Sequence, residues 1–303
     1  MPKVVIIGNS AAGFNACDTL VKSSAQNEIT IISEEAVPAY RRDLLLDYLS
    51  GNTKESALFL CNEDFYKNNN INFLNNSEAV RLDTKKQRVI LKDNRKIDYD
   101  YLLIASGRKV KMPDVPGIKK EGVFSVYNLE DTRQIMQRLI IAPTVCIVGS
   151  DGLALRLAEI ISAKDREVKI ISKEGCASFS QTEKMELIDN TGPTELIGEA
   201  EVKAVKLGNG KIIGASLVLF TGNYIPSVDF LGESEINVSN GYIAVDDSLR
   251  TNLENVFAAG SVCCNVNIQA KDKTWEESAR EGVFVAENIV KSTQKGKTPC
   301  RSC

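Results

Sequence analysis

A chain of 303 residues is long enough for roughly two domains of ~150 residues, each burying a core of its own. Its net charge of -3 supplies no electrostatic footprint for nucleic acid or for an anionic membrane. The sequence has no histidine, which argues against triad hydrolases and His-ligated zinc enzymes. No apolar run approaches the ~20 residues of a membrane span. Met1-Pro2-Lys3 leads straight into a strand without the apolar stretch of a signal peptide, so the expected setting is cytoplasmic.

In chain order, Lys3-Val4-Val5-Ile6-Ile7-Gly8 is a continuous apolar run and predicts a strand buried on both faces of a parallel sheet. Apolar residues then recur at helical spacing from Ala11 to Lys22, and Glu28-Ile29-Thr30-Ile31-Ile32-Ser33-Glu34 predicts a second buried strand, completing a βαβ unit. Arg88-Val89-Ile90-Leu91 reads as a further strand, and the run Tyr101-Leu102-Leu103-Ile104-Ala105 closes on Ser106-Gly107. Pro113 and Pro116 mark a crossing into a second domain. There the first layout returns about 140 residues on: strand Thr144–Gly149, helix Leu153–Ala163, strand Glu167–Ser172. Ser216-Leu217-Val218-Leu219-Phe220 closes on Thr221-Gly222, which is matched to Ser106-Gly107 of the first half. Pro226 marks the return, followed by Asn255-Val256-Phe257-Ala258-Ala259-Gly260 and a helix near Glu276–Lys291. The expected class is α/β with two Rossmann-like domains in tandem: residues 1–113 with 225–303, and a shortened one over 114–224.

Gly8-x-Ser10-x-x-Gly13 departs from the three-glycine dinucleotide pattern only in the middle, where serine is small. The first glycine permits the tight turn, the middle residue lets the backbone approach a pyrophosphate, and the third allows close packing of helix on strand. Helix amides then face the phosphates. Glu34 follows Gly13 by 21 residues, close to the ~20 expected of a carboxylate that accepts ribose hydroxyls. A tight strand-to-helix turn occurs in many α/β proteins; strand, turn, helix, strand and acid together point to a nucleotide.

Gly8-Asn9-Ser10-Ala11-Ala12-Gly13, the stretch from Ile31 through Pro38-Ala39-Tyr40-Arg41-Arg42, Tyr48-Leu49-Ser50-Gly51, Glu63-Asp64-Phe65-Tyr66, Tyr99 through Gly107 and Asn255 through Gly260 resemble one family over nearly the whole chain. It is that of the FAD-dependent pyridine nucleotide-disulfide oxidoreductases, in the branch of NADH:rubredoxin reductases and nitrite reductase flavin domains. The resemblance implies two FAD/NAD(P)-binding domains of three-layer ββα architecture. It implies that FAD is held by Gly8, Ser10, Ala11, Ala12 and Gly13, with Glu34 on the adenosine ribose and Arg42 near the flavin and its phosphates. Ala105, Ser106 and Gly107 would lie beside the cofactor, as would Gly260 and Ser261. Ser261 replaces the family's usual aspartate, so weaker hold on the ribityl chain is expected.

The family places NADH on the second unit, whose turn here is Gly149-Ser150-Asp151-Gly152-Leu153-Ala154. Asp151 stands at the middle position and Ala154 at the third; the side chain at the middle position blocks backbone approach, and its carboxylate repels a pyrophosphate. Ser172 stands where an acidic residue is expected, with Lys173 beside it, and Arg156 replaces the family's glutamate. Gly192-Pro193 breaks the short stretch before Leu217, leaving little room for the usual extra helix and strand. NADPH recognition helped by Lys173, a vestigial domain and a partner surface are the competing readings of this domain.

Cys17, Cys61, Cys146 and Cys176 are scattered and read as reduced thiols. Arg41-Arg42-Asp43 stands where disulfide-reducing relatives carry a reactive cysteine. Cys263, Cys264, Cys300 and Cys303 form the one grouping suited to an iron–sulfur cluster or tetrahedral zinc, against the alternative of a flexible dithiol tail. No counterpart of the family's C-terminal interface domain is expected within these residues, so its homodimer is not assumed. The expected function is an FAD-dependent electron-transfer oxidoreductase that exchanges electrons with an iron–sulfur or similar redox protein. The alternatives are an NAD(P)H-dependent rubredoxin or ferredoxin-type reductase, and a non-catalytic flavin-bearing subunit that scaffolds a redox complex.

Overall fold

The computed structural model describes residues 1–23, 26–174, 179–265 and 272–295. From the N-terminus run β1 (Lys3–Ile7), α1 (Ala11–Lys22), β2 (Glu28–Ile32), α2 (Leu45–Ser50), α3 (Glu63–Asn68) and β3 (Asn72–Leu74). A meander of β4 (Ala79–Asp83), β5 (Arg88–Leu91) and β6 (Lys96–Asp98) leads to β7 (Tyr101–Ile104). Next come β8 (Val123–Ser125), α4 (Leu129–Leu139), β9 (Thr144–Val148), α5 (Gly152–Ser162), β10 (Glu167–Ile171) and β11 (Met185–Ile188). A second meander, β12 (Pro193–Ile197), β13 (Ala204–Leu207) and β14 (Ile212–Gly214), precedes β15 (Leu217–Phe220); β16 (Val256–Ala258) and α6 (Trp275–Lys295) follow.

The chain divides into two units: residues 1–41, 59–108 and 226–303, and residues 42–58 with 109–225. In the first, a parallel sheet has the order β16-β7-β1-β2-β3. The two-residue period of β1 explains its uninterrupted apolar run. Val4 and Ile6 pack with Ala16 and Leu20 of α1 and Val285 and Ile289 of α6, while Val5 and Ile7 pack with Val89 and Leu91 of the meander. Helices, parallel sheet and antiparallel meander make three layers.

The second unit repeats this plan, with the parallel order β11-β10-β9-β15-β8. Val145 and Ile147 of β9 face Ile135 of α4 and Leu157 and Ile161 of α5, whereas Cys146 faces Val205 and Ile213 of the meander. The expected α/β class and ββα layering are present in both halves. The shortening is narrower than expected, because β11 supplies an outer strand where the sequence leaves little room for one. Among the described residues, no helix stands between β10 and β11, where the first unit has α3 before β3.

The domain boundaries also differ from those expected, since residues 42–58 belong with the second unit. The reason is packing: Leu46 and Leu49 enter the core of α4, α5 and β9. Glu55 then fastens the segment, accepting from Arg133 Nη2 at 2.6 Å, Arg133 Nε at 3.2 Å and the Tyr48 hydroxyl at 2.7 Å. These hydrogen bonds, Arg133 first and Tyr48 next, hold the Glu55 carboxyl below the ordinary glutamate range. A depressed folded-state value stabilises the fold above the unfolded-state value of about 4.3, and that contribution is lost as pH falls through the folded-state value. E55Q is therefore expected to flatten the pH dependence of the urea midpoint below about pH 4.3, measured beside the wild type. An unchanged slope would remove Glu55 from the acid response.

Candidate functional site

In both units the central strand of the parallel sheet, β1 or β9, turns into a helix at a glycine, and the two turns differ in how they are filled. In the first, Gly8 N donates to Ile32 O at 2.8 Å and Ala105 N donates to Ile7 O at 2.8 Å, fixing the turn against its neighbouring strands. Gly8 has φ +106°, and a Cβ there would lie 2.2 Å from Ala105 O. A Cβ on Gly13 would lie 1.9 Å from Gly8 O, so helix and turn touch through backbone alone. Ser10 is the N-cap of α1, but its side chain makes no capping hydrogen bond and the first turn has no acidic residue. The leading amides of α1 thus have neither a side-chain cap nor a local carboxylate competing for them.

Gly260 completes this wall, since a Cβ on it would lie 3.4 Å from Ala12 Cβ. Ser106 at the end of β7 donates its hydroxyl to Ser227 O at 2.8 Å. Glu34, just past β2, lines a cavity of about 440 Å³ together with Ser77, Glu78, Leu91 and Lys92. The structure therefore gathers Gly8, Ala12, Gly13, Ala105 and Gly260 at one turn, with Glu34 on the cavity beyond β2. Arg42 belongs to the second unit, where its guanidinium sits 4.4 Å from the Tyr127 ring centroid.

Side chains given no role at the site by the sequence also reach this turn. Asn9 Nδ2 donates to the Tyr66 hydroxyl at 2.9 Å, and Ala39 N donates to the same oxygen at 3.1 Å. Tyr66 is buried and its ring stacks on Phe73 with centroids 4.1 Å apart, which locks the hydroxyl in place. Asn9 Oδ1 is buried without a hydrogen-bond partner, an unused acceptor in the turn. On the other side Glu281 Oε2 accepts from Gly260 N at 2.7 Å and from Lys273 Nζ at 2.8 Å, while Lys273 Nζ also donates to Gly260 O at 3.0 Å. A carboxylate from α6 thus braces the backbone just before Ser261.

The Lys273 and Glu281 side chains are 13% and 24% exposed, so removing one strands the other in a poorly hydrated place. K273M is expected to cost about 2 kcal/mol, below the 3–5 of fully buried pairs because water still reaches this one. Urea unfolding checks the cost, and K273M/E281Q should recover part of it. Full additivity of the two substitutions would show that the pair is not coupled.

Cys263 and Cys264 are consecutive in a strand, Cys263–Asn265, so their side chains leave on opposite faces. The Cys263 thiol donates to Ala258 O at 3.3 Å, and burial pushes its pKa up to about 12. The two thiols thus lie on opposite faces of one strand. Cys300 and Cys303 lie outside the described residues. Among the described residues no group of three or more Cys, Asp or Glu side chains is placed to hold a metal.

In the second unit Gly149 N donates to Ile171 O at 3.0 Å and Thr221 N to Val148 O at 3.0 Å, the counterparts of the bonds at Gly8 and Ala105. This register pairs Thr221 with Ala105, one residue away from the Ser106-Gly107 match expected from sequence. It likewise pairs Ser172 with Ser33, so the counterpart of Glu34 is Lys173. The helix start differs most: Asp151 is the N-cap of α5 and its Oδ1 accepts from Ala154 N at 2.9 Å and from the Thr221 hydroxyl at 2.8 Å. This turn is capped by its own carboxylate.

Residues 2–283 match the model of the pyridine nucleotide-disulphide oxidoreductase family. The chain belongs to this family. It is accordingly an oxidoreductase of a family that binds FAD. Among curated pyridine nucleotide-disulphide oxidoreductases, the rubredoxin-NAD(+) reductase of Pseudomonas putida is 26% identical, with 98% of this chain and 82% of the relative covered. The nitrite reductase [NAD(P)H] of Bacillus subtilis (strain 168) is 27% identical over 85% of this chain and 34% of the relative. Of solved structures, the covalent putidaredoxin reductase–putidaredoxin complex superimposes with a TM-score of 0.86 at 20% identity, covering 99% of this chain and 77% of that one. These likenesses carry the fold of both units. No described helix is long and apolar enough to cross a membrane.

Proposed function

We propose that the first unit holds FAD and that the protein exchanges electrons between this flavin and an iron–sulfur or similar redox protein. The observation that carries the proposal is the turn at Gly8–Gly13, where backbone packs on backbone and the first amides of α1 have no side-chain cap. Those amides suit a pyrophosphate. Asn9 Oδ1 offers an acceptor for a hydroxyl or amino group of the nucleotide, and Glu34 opens onto a cavity in which an adenosine could lie with its ribose on the carboxylate. Bound flavin supplies the redox chemistry, since it can divide a two-electron transfer into single-electron steps. Gly260 and Ser261, braced by Glu281 and Lys273, would position its ribityl chain, with Ala105, Ser106 and Gly107 beside it. No side-chain acid or base is assigned. A cytoplasmic setting belongs to this reading, supported by the free thiols of Cys17, Cys61, Cys146, Cys263 and Cys264.

Anaerobic purification with a visible spectrum, followed by mixing with reduced rubredoxin or a reduced ferredoxin, tests the proposal. Flavin reduction by either carrier is expected. Colourless protein that takes up no added FAD would overturn it. A second reading, an NAD(P)H-dependent reductase of such a carrier, is favoured by the names of the Pseudomonas putida and Bacillus subtilis relatives. Rapid flavin bleaching by NADH or NADPH in stopped flow would select it.

A further inference from the structure

We infer that Asp151 is an internal anion standing where a dinucleotide would place its pyrophosphate, and that it closes the turn of the second unit to NADH and NADPH. This goes beyond the electron exchange proposed above and does not rest on which cofactor the first unit holds. Three positions carry it, each matched to the first unit by the shared register. Ser10, whose hydroxyl caps nothing, becomes Asp151, whose Oδ1 accepts from the Ala154 amide at 2.9 Å. Ala105, with no polar side-chain atom, becomes Thr221, whose hydroxyl donates to the same Oδ1 at 2.8 Å. Gly13 becomes Ala154, fully buried in the first turn of α5.

The substitutions complement one another. Thr221 Oγ1 lies where a Cβ on Gly149 would come within 2.2 Å of it, so the hydroxyl sits inside the turn. Asp151 Oδ2 lies 3.6 Å from the Cβ position of Gly222, so the carboxylate spans the gap from helix start to strand end. An incoming diphosphate would have to compete for the amide that Asp151 already engages while approaching a like charge. Lys173, at the place of Glu34, reverses the charge met by a ribose and by itself suits a 2′-phosphate, so NADPH is tested beside NADH.

The test is fluorescence titration of the full chain, wild type and D151S, with NADH and with NADPH. Serine restores the residue of the first unit and is itself a favourable N-cap, so α5 keeps its start. D151S is expected to bind at least one nucleotide at least about tenfold more tightly than the wild type. D151S/T221A, which also restores the alanine of the first unit, is expected to bind no less tightly than D151S. Wild-type protein that saturates with NADH or NADPH as readily as D151S overturns the inference. A folded D151S, judged by circular dichroism and melting, that gains no affinity also overturns it. Should D151S not fold, the wild type alone decides: saturation in the micromolar range refutes the closed turn, and no saturation upholds it.

Discussion

Gly13→Ala is expected to destabilise the protein by about 3 kcal/mol and to release most of its flavin. The added methyl would start 1.9 Å from Gly8 O, and the carbonyl cannot swing aside because the Gly8 amide is bonded to Ile32 O and the turn abuts Ala105 O. Relief requires α1 to lift from β1. That movement would loosen Ala16, Cys17 and Leu20, which are almost completely buried between the sheet and α6. Alanine's better helix propensity returns at most about 1 kcal/mol and does not offset the overlap. The checks are urea unfolding and the visible absorbance that stays with protein on gel filtration. An undiminished flavin content would refute the backbone-contact argument.

Glu34→Gln is expected to weaken FAD binding by roughly 10- to 100-fold while leaving the apo-protein's melting temperature nearly unchanged. On the proposed function, the carboxylate accepts from ribose hydroxyls, and hydrogen bonds to a charged group contribute about 1.5–3 kcal/mol each. Glu34 is exposed at the end of β2, outside the core, so its neutralisation costs the fold little. Titrating apo-protein with FAD and following the quenching of flavin fluorescence measures the change. Equal affinities for the two proteins would move the ribose away from Glu34. A parallel loss of stability would mean that the carboxylate serves the fold instead.

Much of the architecture was legible in the sequence because its causes are local. The apolar runs at Lys3–Ile7 and Thr144–Val148 became central parallel strands, and the helical spacing after Gly8 became α1. The glycine turns were visible against a spaced pattern, with Glu34 matching it in one half and Asp151 departing from it in the other. What escaped was the set of partners brought in from afar. Tyr66 reaches Asn9 across 57 residues and Thr221 reaches Asp151 across 70. Glu281 and Lys273 sit on the last helix and the approach to it, with no spacing signal that relates them to Gly260.

Residues 42–58 make the same point at the level of domains. Their leucines are plain in the sequence, but which core receives Leu46 and Leu49 depends on α4, α5 and β9, more than 70 residues further on. Strand, helix and turn identities follow from side-chain period and backbone sterics, which act over a few residues, and so the doubled βαβ plan and the two glycine turns can be read from the chain directly. Whether a turn presents bare amides or a bound carboxylate depends on strand register and on groups that meet only when the sheets close. Hence the open turn at Ser10 and the self-capped one at Asp151 became distinguishable only once Ala105 and Thr221 were seen at the same place beside them.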